Sequence, residues 1–362
     1  MSRRPSGPLR RGWTTGACAA AAARAAAEAL LTGAFPDPVG IRLPGGECPS
    51  FPLALQELDP GLARAGIVKD AGDDPDVTHG ATVVTTLAPG PAGSGVTFHA
   101  GEGVGTVTRP GLPLAVGEPA INPAPRAIIR AALAAAAAAT GLMLPDLAVT
   151  IAIPGGADLA AKTLNARLGI IGGLSILGTT GIVIPYSCAS WIHAIQRGID
   201  VARAAGLEHL AAATGSTSEA AVQRFLGLPE TALIDMGDFV GGTLKYLRRH
   251  PVPRLTLAGG FGKLAKLAQG HLDLHSGASR VDAAALAALL ASLGADAAVV
   301  AAAHDAAGAG EALAIAGSYR QALCERVARQ AREVALATLA GGIAVDVAIF
   351  DRRGELLAHA GP

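Results

Sequence analysis

The stretch from residue 168 to residue 196 constrains the fold most, because it contains no Asp, Glu, Lys or Arg. A run of that length could cross a bilayer, which takes a helix of about 20 apolar residues. Five glycines interrupt the run, however, and Pro185 would cost about 3 kcal/mol in a helix interior. We therefore predict short buried strands joined by Gly, Thr and Ser turns, where the backbone can approach a ligand closely.

Length and composition indicate two domains. The chain has 362 residues, of which 51% are hydrophobic and 16% charged, so it can bury more than one ordinary core. We predict a small, ribosomal-protein-like α+β domain over residues 1–150 and an α/β domain with a doubly wound parallel sheet over residues 151–362. The second domain could begin anywhere between residues 142 and 186, and the last segment could return to the first domain.

The helices expected in the first half have clear start signals. Thr14 or Thr15 can cap a helix that runs to about residue 31 and stops at Gly33. Proline suits the first turn of a helix, so a second helix should open at Pro123 or Pro125. Short apolar runs separated by Pro, Gly and Asp turns lie between them and predict a mostly antiparallel sheet.

In the second half, strand patterns alternate with amphipathic helix patterns. Such alternation favours a parallel, doubly wound sheet. The strands are expected near residues 209–214, 232–235, 255–258 and 344–350, and the helices near 187–205, 218–226, 238–249, from 261, 281–293 and 320–339.

Charge and cysteine usage exclude several classes of protein. Lys plus Arg and Asp plus Glu both number 29, whereas nucleic-acid binders usually carry a basic excess. The four cysteines have no paired spacing, so a disulfide framework and a zinc site are both disfavoured and a reduced cytoplasmic protein is favoured. The basic N-terminus lacks the apolar core of a signal peptide. We predict a cytoplasmic protein that binds neither nucleic acid nor membrane.

Three loops in the second half follow predicted strands, at the edge where parallel sheets bind ligands. The loop at Gly259 fits neither the phosphate-loop spacing nor GxGxxG, and Leu264 cannot hold Mg²⁺. A carboxylate or a polar adenosyl ligand at this helix start fits better, although tight chain reversal alone would also explain any one loop. The predicted cofactor-binding residues are Gly215, Ser216, Thr217, Gly259, Gly260, Gly262 and Lys263.

The segment from Lys69 to Gly80 gathers four carboxylates and one histidine. It could hold a divalent cation, supply a base or bind a polar substrate, or it could be a solvated turn of ordinary Asp-Pro and Gly chemistry. The segment departs from the EF-hand pattern, and His271 and His275 lack the HExxH glutamate, so we predict no metal site. Adjacent Asp73 and Asp74 repel each other, which favours a functional role and makes them our predicted catalytic residues.

Six long motifs of the chain are Gly12–Ala20, Lys69–Gly80, Gly101–Gly111, Pro119–Arg126, Lys162–Ser187 and Gly259–Ser276. Taken together and in this order, they resemble the CbiD family over about residues 11–276. The chain departs from the family pattern at Ala17, at Ala166 and at the pair Gly260-Phe261. The resemblance implies methylation of C1 of cobalt-precorrin-5B to give cobalt-precorrin-6A in anaerobic cobalamin biosynthesis. It also implies S-adenosylmethionine as methyl donor, a cobalt-containing tetrapyrrole as acceptor and a fold unlike the usual Rossmann methyltransferases.

A polycarboxylate macrocycle needs donors spread over a surface, with charge-assisted hydrogen bonds where possible. Methyl transfer from a sulfonium needs mainly alignment and exclusion of water. The predicted substrate-binding residues are Lys69, Asp70, Arg109, Arg126, Lys162, Asn165, Arg167, Thr179 and Thr180.

Two other functions remain open at the sequence level. One is a phosphotransferase that binds a nucleotide through its Gly loops and needs Mg²⁺. The other is an RNA-binding or scaffold protein, which a net charge of zero disfavours. Homo-oligomers are possible in every case.

Overall fold

The computed structural model describes residues 7–361, which have a mixed α/β fold with parallel-sheet elements. The chain divides into two compact units, Met1–Ser187 and Cys188–Pro362. The two units therefore divide between residues 187 and 188. This position is C-terminal to the boundary expected at residue 150 and just outside the expected range of 142–186. The C-terminal segment pairs within the second unit and does not return to the first.

The strands of the first unit are β1 Gly12–Trp13, β2 Val39–Gly40, β3 Ser50–Phe51, β4 Leu55–Asp59, β5 Leu62–Val68, β6 Thr82–Pro89, β7 Val96–Ala100, β8 Thr106–Val107, β9 Leu147–Ala152, β10 Ile170–Ile171 and β11 Ile182–Val183. Five of them form a sheet in the order β4-β5-β6-β9-β7, which is antiparallel except for the parallel β7–β9 pair. The other six form three two-stranded ladders, β1–β11, β8–β10 and β2–β3.

The helices of the first unit are α1 Thr15–Thr32, α2 Pro123–Thr140 and α3 Gly156–Ala160. The hydroxyl of Thr14 accepts a hydrogen bond from the backbone N–H of Ala17, and Gly33 ends α1 at φ 81°. The predicted start and stop of α1, and the predicted start of α2 at Pro123, are therefore confirmed. The alanines of α1 are buried nearly all round, since small side chains let it pack closely against the sheet and α2.

The strands of the second unit are β12 His209–Ala213, β13 Leu233–Asp235, β14 Arg254–Gly260, β15 Ala344–Phe350 and β16 Leu356–Ala360. They form one sheet in the order β13-β12-β14-β15-β16, in which the first four strands are parallel and β16 is antiparallel. Strands β13 and β14 lie on opposite sides of β12, so the strand order reverses between β12 and β14. This position is the topological switch point of the sheet.

Helices cover both faces of this sheet. The alternation of β12 sends Ala211 and Ala213 to the face covered by α5, and Leu210 and Ala212 to the face where α6, α7 and α11 pack. The helices are α4 Cys188–Ala204, α5 Ser216–Leu226, α6 Val240–Arg249, α7 Phe261–Ala268, α8 Ala283–Ser292, α9 Ala297–His304, α10 Ala309–Ile315 and α11 Arg320–Leu339, with 3₁₀ turns at Glu230–Ala232 and Gly317–Tyr319.

The last strand is held to its neighbours by a buried carboxylate. Asp346 on β15 is fully buried and accepts hydrogen bonds from Nε and Nη2 of Arg254 on β14, at 2.6 and 2.9 Å. Nε2 of His359 on β16 lies 3.5 Å from the same carboxylate. Burial raises the pKa of Asp346, but the hydrogen bonds and charge of Arg254 outweigh burial and keep it below its ordinary value.

The uncharged stretch forms β10, β11 and the first turns of α4, joined by glycine turns as predicted. The expected burial of its strands is wrong, because Ile171 in β10 is 54% exposed and both residues of β11 are only half-buried. Across residues 7–361, no helix is both long enough and apolar enough to span a bilayer.

The cysteines divide into two buried and two exposed thiols. Burial raises the pKa of Cys18 to about 12 and of Cys324 to about 11, whereas Cys48 and Cys188 are exposed. Since the thiolate is the reactive form, we expect a disulfide reagent to titrate the two exposed thiols quickly and all four only after denaturation. Fast reaction of Cys18 in the native protein would contradict the packing around α1.

Candidate functional site

The three glycine loops of the second unit meet at the carboxyl edge of the parallel sheet. Ala213 is in register with Asp235, and its carbonyl accepts hydrogen bonds from the N–H groups of Met236 and Gly237, at 3.0 and 3.2 Å. The N–H of Thr214 donates to the carbonyl of Ala258 at 2.9 Å. The ends of β12, β13 and β14 therefore form one surface, as predicted from the strand–loop pattern.

Two helices begin at this surface without a side-chain cap. Gly215 precedes α5 and Gly260 precedes α7, and at neither start does the N-cap side chain accept a hydrogen bond from the first-turn N–H groups. Ser216 and Thr217 are exposed in the first turn of α5. The N–H groups of a first helical turn have no partners within the helix, and the helix dipole favours negative charge there. The starts of α5 and α7 can therefore bind an anionic group from both sides of the switch point.

The glycines at this edge serve different purposes. A Cβ on Gly259 would lie 2.8 Å from the Thr214 hydroxyl oxygen, so this glycine is needed for packing between strands. At Gly260 a Cβ would meet nothing within 4 Å, and at Gly262 only Cβ of Ala309 at 3.4 Å. Only the latter two leave open space beside the start of α7.

Lys263 forms an ion pair with Asp238, which the sequence did not predict. Its ammonium contacts the carboxylate of Asp238 and lies 3.4 Å from the carbonyl oxygen of Leu274. Burial lowers the pKa of Lys263, and the nearby charge of Lys266 adds to this effect. Lys263 therefore holds the β13–α6 loop against α7, and it is not the free cation expected for a ligand.

Three residues at this edge, Asp235, Trp191 and Phe239, were not among the predicted site residues. The indole N–H of Trp191 on α4 donates to the carbonyl of Asp235 at 3.2 Å, and the Trp191 and Phe239 ring centroids are 6.4 Å apart. Trp191 remains 40% exposed. The signals that could have found them are an acidic residue at a strand end and a tryptophan in a chain with only 3% aromatic residues.

In the first unit, the side chain of Arg109 contacts the backbone of the loop that bears Arg167. Nη1 of Arg109 donates to the carbonyl of Arg167 at 3.4 Å, and the Arg109 stem packs over Gly169. Lys162 lies exposed at the start of the loop that bears Arg167. Among the residues that the structure describes, neither Arg109 nor Lys162 has a carboxylate partner. Exposed cations without a carboxylate partner favour an anionic ligand here.

Two other predicted substrate ligands are paired within the first unit. Arg126 donates to the Ile121 carbonyl at 2.7 Å and to the Glu118 carboxylate at 2.9 Å. Lys69 is 3% exposed, and its ammonium binds Asp76 at 2.5 Å. Both cations therefore have their charge satisfied, a correction to the sequence-based expectation.

Asn165 is also buried, and it supports the loop. Its side-chain N–H donates to the Gly173 carbonyl at 3.1 Å, and its Oδ1 accepts a hydrogen bond from the Ser175 hydroxyl at 3.2 Å. Thr179 and Thr180 are exposed, and the Thr180 hydroxyl accepts from the N–H of Ile182 at 3.2 Å. Of these three predicted ligands, the two threonines stay accessible to a substrate.

The acidic segment uses its carboxylates to join distant parts of the chain. Arg10 binds Asp70 through both terminal nitrogens, and this hydrogen bonding, with the Gly72 N–H, lowers the pKa of Asp70 to about 2. Asp73 accepts from the Arg10 N–H at 2.6 Å, and Asp74 accepts from the Tyr186 N–H at 2.8 Å. Asp70 is therefore ionised at neutral pH and paired with Arg10, which corrects its prediction as a free substrate ligand.

No three His, Cys, Asp or Glu side chains within residues 7–361 converge in a way that could hold a metal ion.

Comparison with known proteins identifies the family. The CbiD family model matches residues 2–185, and the model described as the CbiD C-terminal domain matches residues 273–361. Proteins named cobalt-precorrin-5B C(1)-methyltransferase are similar over nearly their whole length. The one from Paramagnetospirillum magneticum is 62% identical, covering 97% of this chain and 98% of that protein, and the one from Halorhodospira halophila is 59% identical, covering 98% and 95%.

A solved structure of a cobalamin biosynthesis protein (cbiD) from Archaeoglobus fulgidus is 27% identical, with a TM-score of 0.40, covering 71% of this chain and 79% of that one. From the two family models and the identities of the curated relatives, the chain belongs to the CbiD family.

Proposed function

We propose that the protein methylates C1 of cobalt-precorrin-5B, with S-adenosylmethionine as donor, to give cobalt-precorrin-6A in anaerobic cobalamin biosynthesis. The observation that carries this proposal is full-length similarity to relatives of that name, at 57–62% identity. Similarity at this level along both units favours the same substrate and the same reacting carbon.

The chemistry asks the protein mainly for alignment. S-Adenosylmethionine supplies a methyl group already activated by its sulfonium, and the macrocycle supplies the electron pair. The protein must bring the acceptor carbon into line with the sulfonium and keep water out.

The carboxyl edge of the second unit is the proposed donor site. The uncapped starts of α5 and α7 offer N–H groups for the methionine carboxylate. Gly215, Ser216 and Thr217 lie at one start, and Gly260 and Gly262 leave space at the other. Only one strand, β13, lies beyond β12 on that side of the sheet, whereas the Rossmann order 3-2-1-4-5-6 has two strands there, and this difference supports a donor site outside the usual Rossmann methyltransferase fold.

The loop that bears Lys162 and Arg167, with Arg109 on the loop after β8, is the proposed anchor for the side-chain carboxylates of the tetrapyrrole. The exposed Thr179 and Thr180 add neutral donors on the following loop. The cytoplasmic location, the ribosomal-protein-like character of the first unit and a homo-oligomeric state remain predictions.

Asp73 and Asp74 stay proposed as the groups that accept a ring proton or orient ring nitrogens. Each already accepts one backbone hydrogen bond, which an amide oxygen can also accept. We therefore expect Asp73→Asn and Asp74→Asn to retain a melting temperature near that of the wild type while single-turnover methyl transfer falls at least tenfold. Wild-type rates of methyl transfer in both variants would show that these carboxylates have only a structural role, in which they bind the backbone N–H groups of Arg10 and Tyr186.

Calorimetry with two ligands tests the donor class. We expect S-adenosylhomocysteine to bind saturably without added metal and Mg-ATP to show no saturable binding. The phosphotransferase alternative predicts the opposite pattern. Saturable Mg-ATP binding without any response to S-adenosylhomocysteine would overturn the proposed function.

A further inference from the structure

We propose that Leu164 and Ile171 form the apolar contact of the tetrapyrrole site, so that the macrocycle lies on these two side chains while Lys162 and Arg109 bind its peripheral carboxylates. This inference rests on the proposed function for the class of acceptor. It adds two residues that the predicted ligands did not include, and it gives a role to apolar side chains that the fold leaves in solvent.

The two apolar residues lie on either side of one closed turn. The N–H of Leu168 donates to the carbonyl of Leu164 at 3.0 Å, and the N–H of Ile170 donates to the carbonyl of Asn165 at 2.8 Å. Ile171 is the next residue and the second of β10. Backbone hydrogen bonds therefore hold the turn shut and keep Leu164 and Ile171 on the same small part of the first unit.

The structure buries Ile170 and leaves Ile171 in solvent. Ile170 packs with Val107 in a small apolar cluster, and successive residues of a strand point to opposite faces. Ile171 is therefore turned outward and is 54% exposed, and Leu164 is 39% exposed. Packing within the chain uses only part of either side chain, so the remainder is available for a ligand to cover.

Two exposed cations adjoin the same turn. The stem of Arg109 lies over Gly169, which precedes Ile171 by two residues, or about 7 Å at the rise of an extended chain. Lys162 is exposed two residues before Leu164. Within residues 7–361, no carboxylate pairs with either cation. Single exposed apolar side chains are ordinary, but two of them beside two unpaired cations form a surface with both an apolar and a charged part.

This combination of apolar area and charge selects the occupant. The acceptor is a macrocycle with carboxylates on its rim, so it can cover both apolar side chains and pair with both cations at once. A small polycarboxylate would leave Leu164 and Ile171 in water, and an uncharged apolar ligand would leave Lys162 and Arg109 without a partner. Covering the apolar side chains also adds affinity that salt does not screen, since the hydrophobic effect does not depend on charge.

The first test removes the apolar surface and keeps the charges. We expect Leu164→Ser and Ile171→Ser each to weaken binding of cobalt-precorrin-5B about three- to tenfold, since each loses part of the free energy of burying an aliphatic side chain. Leu164→Met and Ile171→Val keep an apolar surface and should bind within about twofold of the wild type. Both positions are exposed, so the melting temperature of every variant should stay near that of the wild type.

Leu58→Ser is the matched control for loss of an exposed leucine. Leu58 lies in β4 and is 41% exposed, close to the exposure of Leu164, but it is in the β4–β5 hairpin and not at the turn. Its replacement should leave the affinity for cobalt-precorrin-5B unchanged. The affinity for S-adenosylhomocysteine should not change in any of these variants, because the donor site is proposed on the second unit.

The second test separates apolar contact from charge. Raising the salt concentration from about 0.05 M to about 0.5 M screens exposed charges, so the loss of affinity caused by Lys162→Ala should shrink. The losses caused by Leu164→Ser and Ile171→Ser should persist at the higher salt concentration, because apolar burial is not screened. Disappearance of these two losses at high salt would contradict direct apolar contact with the macrocycle.

The outcomes separate the inference from the proposed function. If the wild-type protein binds cobalt-precorrin-5B and both serine variants bind it equally well, the inference is wrong and the proposed function stands. If the wild-type protein does not bind cobalt-precorrin-5B at all, both are overturned. Analytical ultracentrifugation tests a second copy of the chain as the occupant: if the serine substitutions dissociate a wild-type dimer without changing tetrapyrrole affinity, the inference is wrong.

Discussion

Replacing Gly103 with alanine is expected to destabilise the first unit by about 2–6 kcal/mol, a large part of the 5–15 kcal/mol typical of a whole domain. Gly103 has φ +71°, and a Cβ there would lie 2.0 Å from the Ile153 carbonyl oxygen and 2.8 Å from Cα of Gly156. Both obstacles are backbone atoms that cannot rotate away. The expected result is a lower urea midpoint, or loss of folded protein.

Gly172→Ala is the matched control for this experiment. Gly172 lies in the same system of glycine loops at φ +87°, but a Cβ there meets nothing within 4 Å. It therefore carries only the cost of a left-handed backbone, about 1–2 kcal/mol. Equal destabilisation of the two variants would show that glycine is required at position 103 because of its left-handed backbone conformation and not because of the contact between loops.

Replacing Lys162 and Arg109, the two exposed cations of the proposed tetrapyrrole anchor, should have the largest effect on substrate binding. A hydrogen bond to a charged group contributes about 1.5–3 kcal/mol, so Lys162→Ala and Arg109→Ala should each weaken tetrapyrrole binding roughly tenfold or more. The double variant should lose about a hundredfold, and Arg167→Ala should resemble the single variants. Absorbance titration with the cobalt-containing tetrapyrrole measures all four.

Arg64→Ala is the control for loss of positive charge. Arg64 is paired with Glu57 in the β4–β5 hairpin, so its removal lowers the net charge without touching the loop. Affinity for S-adenosylhomocysteine should stay within about twofold in every variant, because the donor site is proposed on the second unit. Normal tetrapyrrole binding by the Lys162 and Arg109 variants would make these residues structural.

Local sequence signals predicted the elements that carry strong caps or regular periodicity. Thr14, Gly33 and Pro123 determine where α1 and α2 begin or end, and these signals act within one helical turn. Helices α9 and α10 and strand β16 were not predicted. Their alanine-rich or edge positions show little periodicity, and β16 is fixed by long-range contacts to β15.

The candidate site was harder to predict, because residue type does not reveal the partner. Lys69, Arg126 and Lys263 look like ligand cations in the sequence, yet Asp76, Glu118 and Asp238 satisfy their charge in the structure. These pairings depend on which loops meet, which only the tertiary fold determines. The three glycine loops at the sheet edge were predictable, since parallel strands place their carboxyl ends together.

The glycines of the first unit are a second example of residues whose partner the sequence does not reveal. Their number predicts that the backbone approaches another group closely, and the sequence-based interpretation is that this group is a ligand. At Gly103, Gly156 and Gly173 the close approach is instead between two loops of the chain itself. Sequence alone cannot distinguish the two, because both need a residue without a Cβ.

Single-turnover methyl transfer tests the central claim most directly. Purified protein is mixed with cobalt-precorrin-5B and S-adenosylmethionine carrying a ¹³C-labelled methyl group, and the product is examined by mass spectrometry and ¹³C NMR. We expect one labelled methyl group per macrocycle, attached at C1, formed without added metal or ATP. An unlabelled macrocycle after complete binding of both ligands, or a label on another ring carbon, would contradict the proposed function.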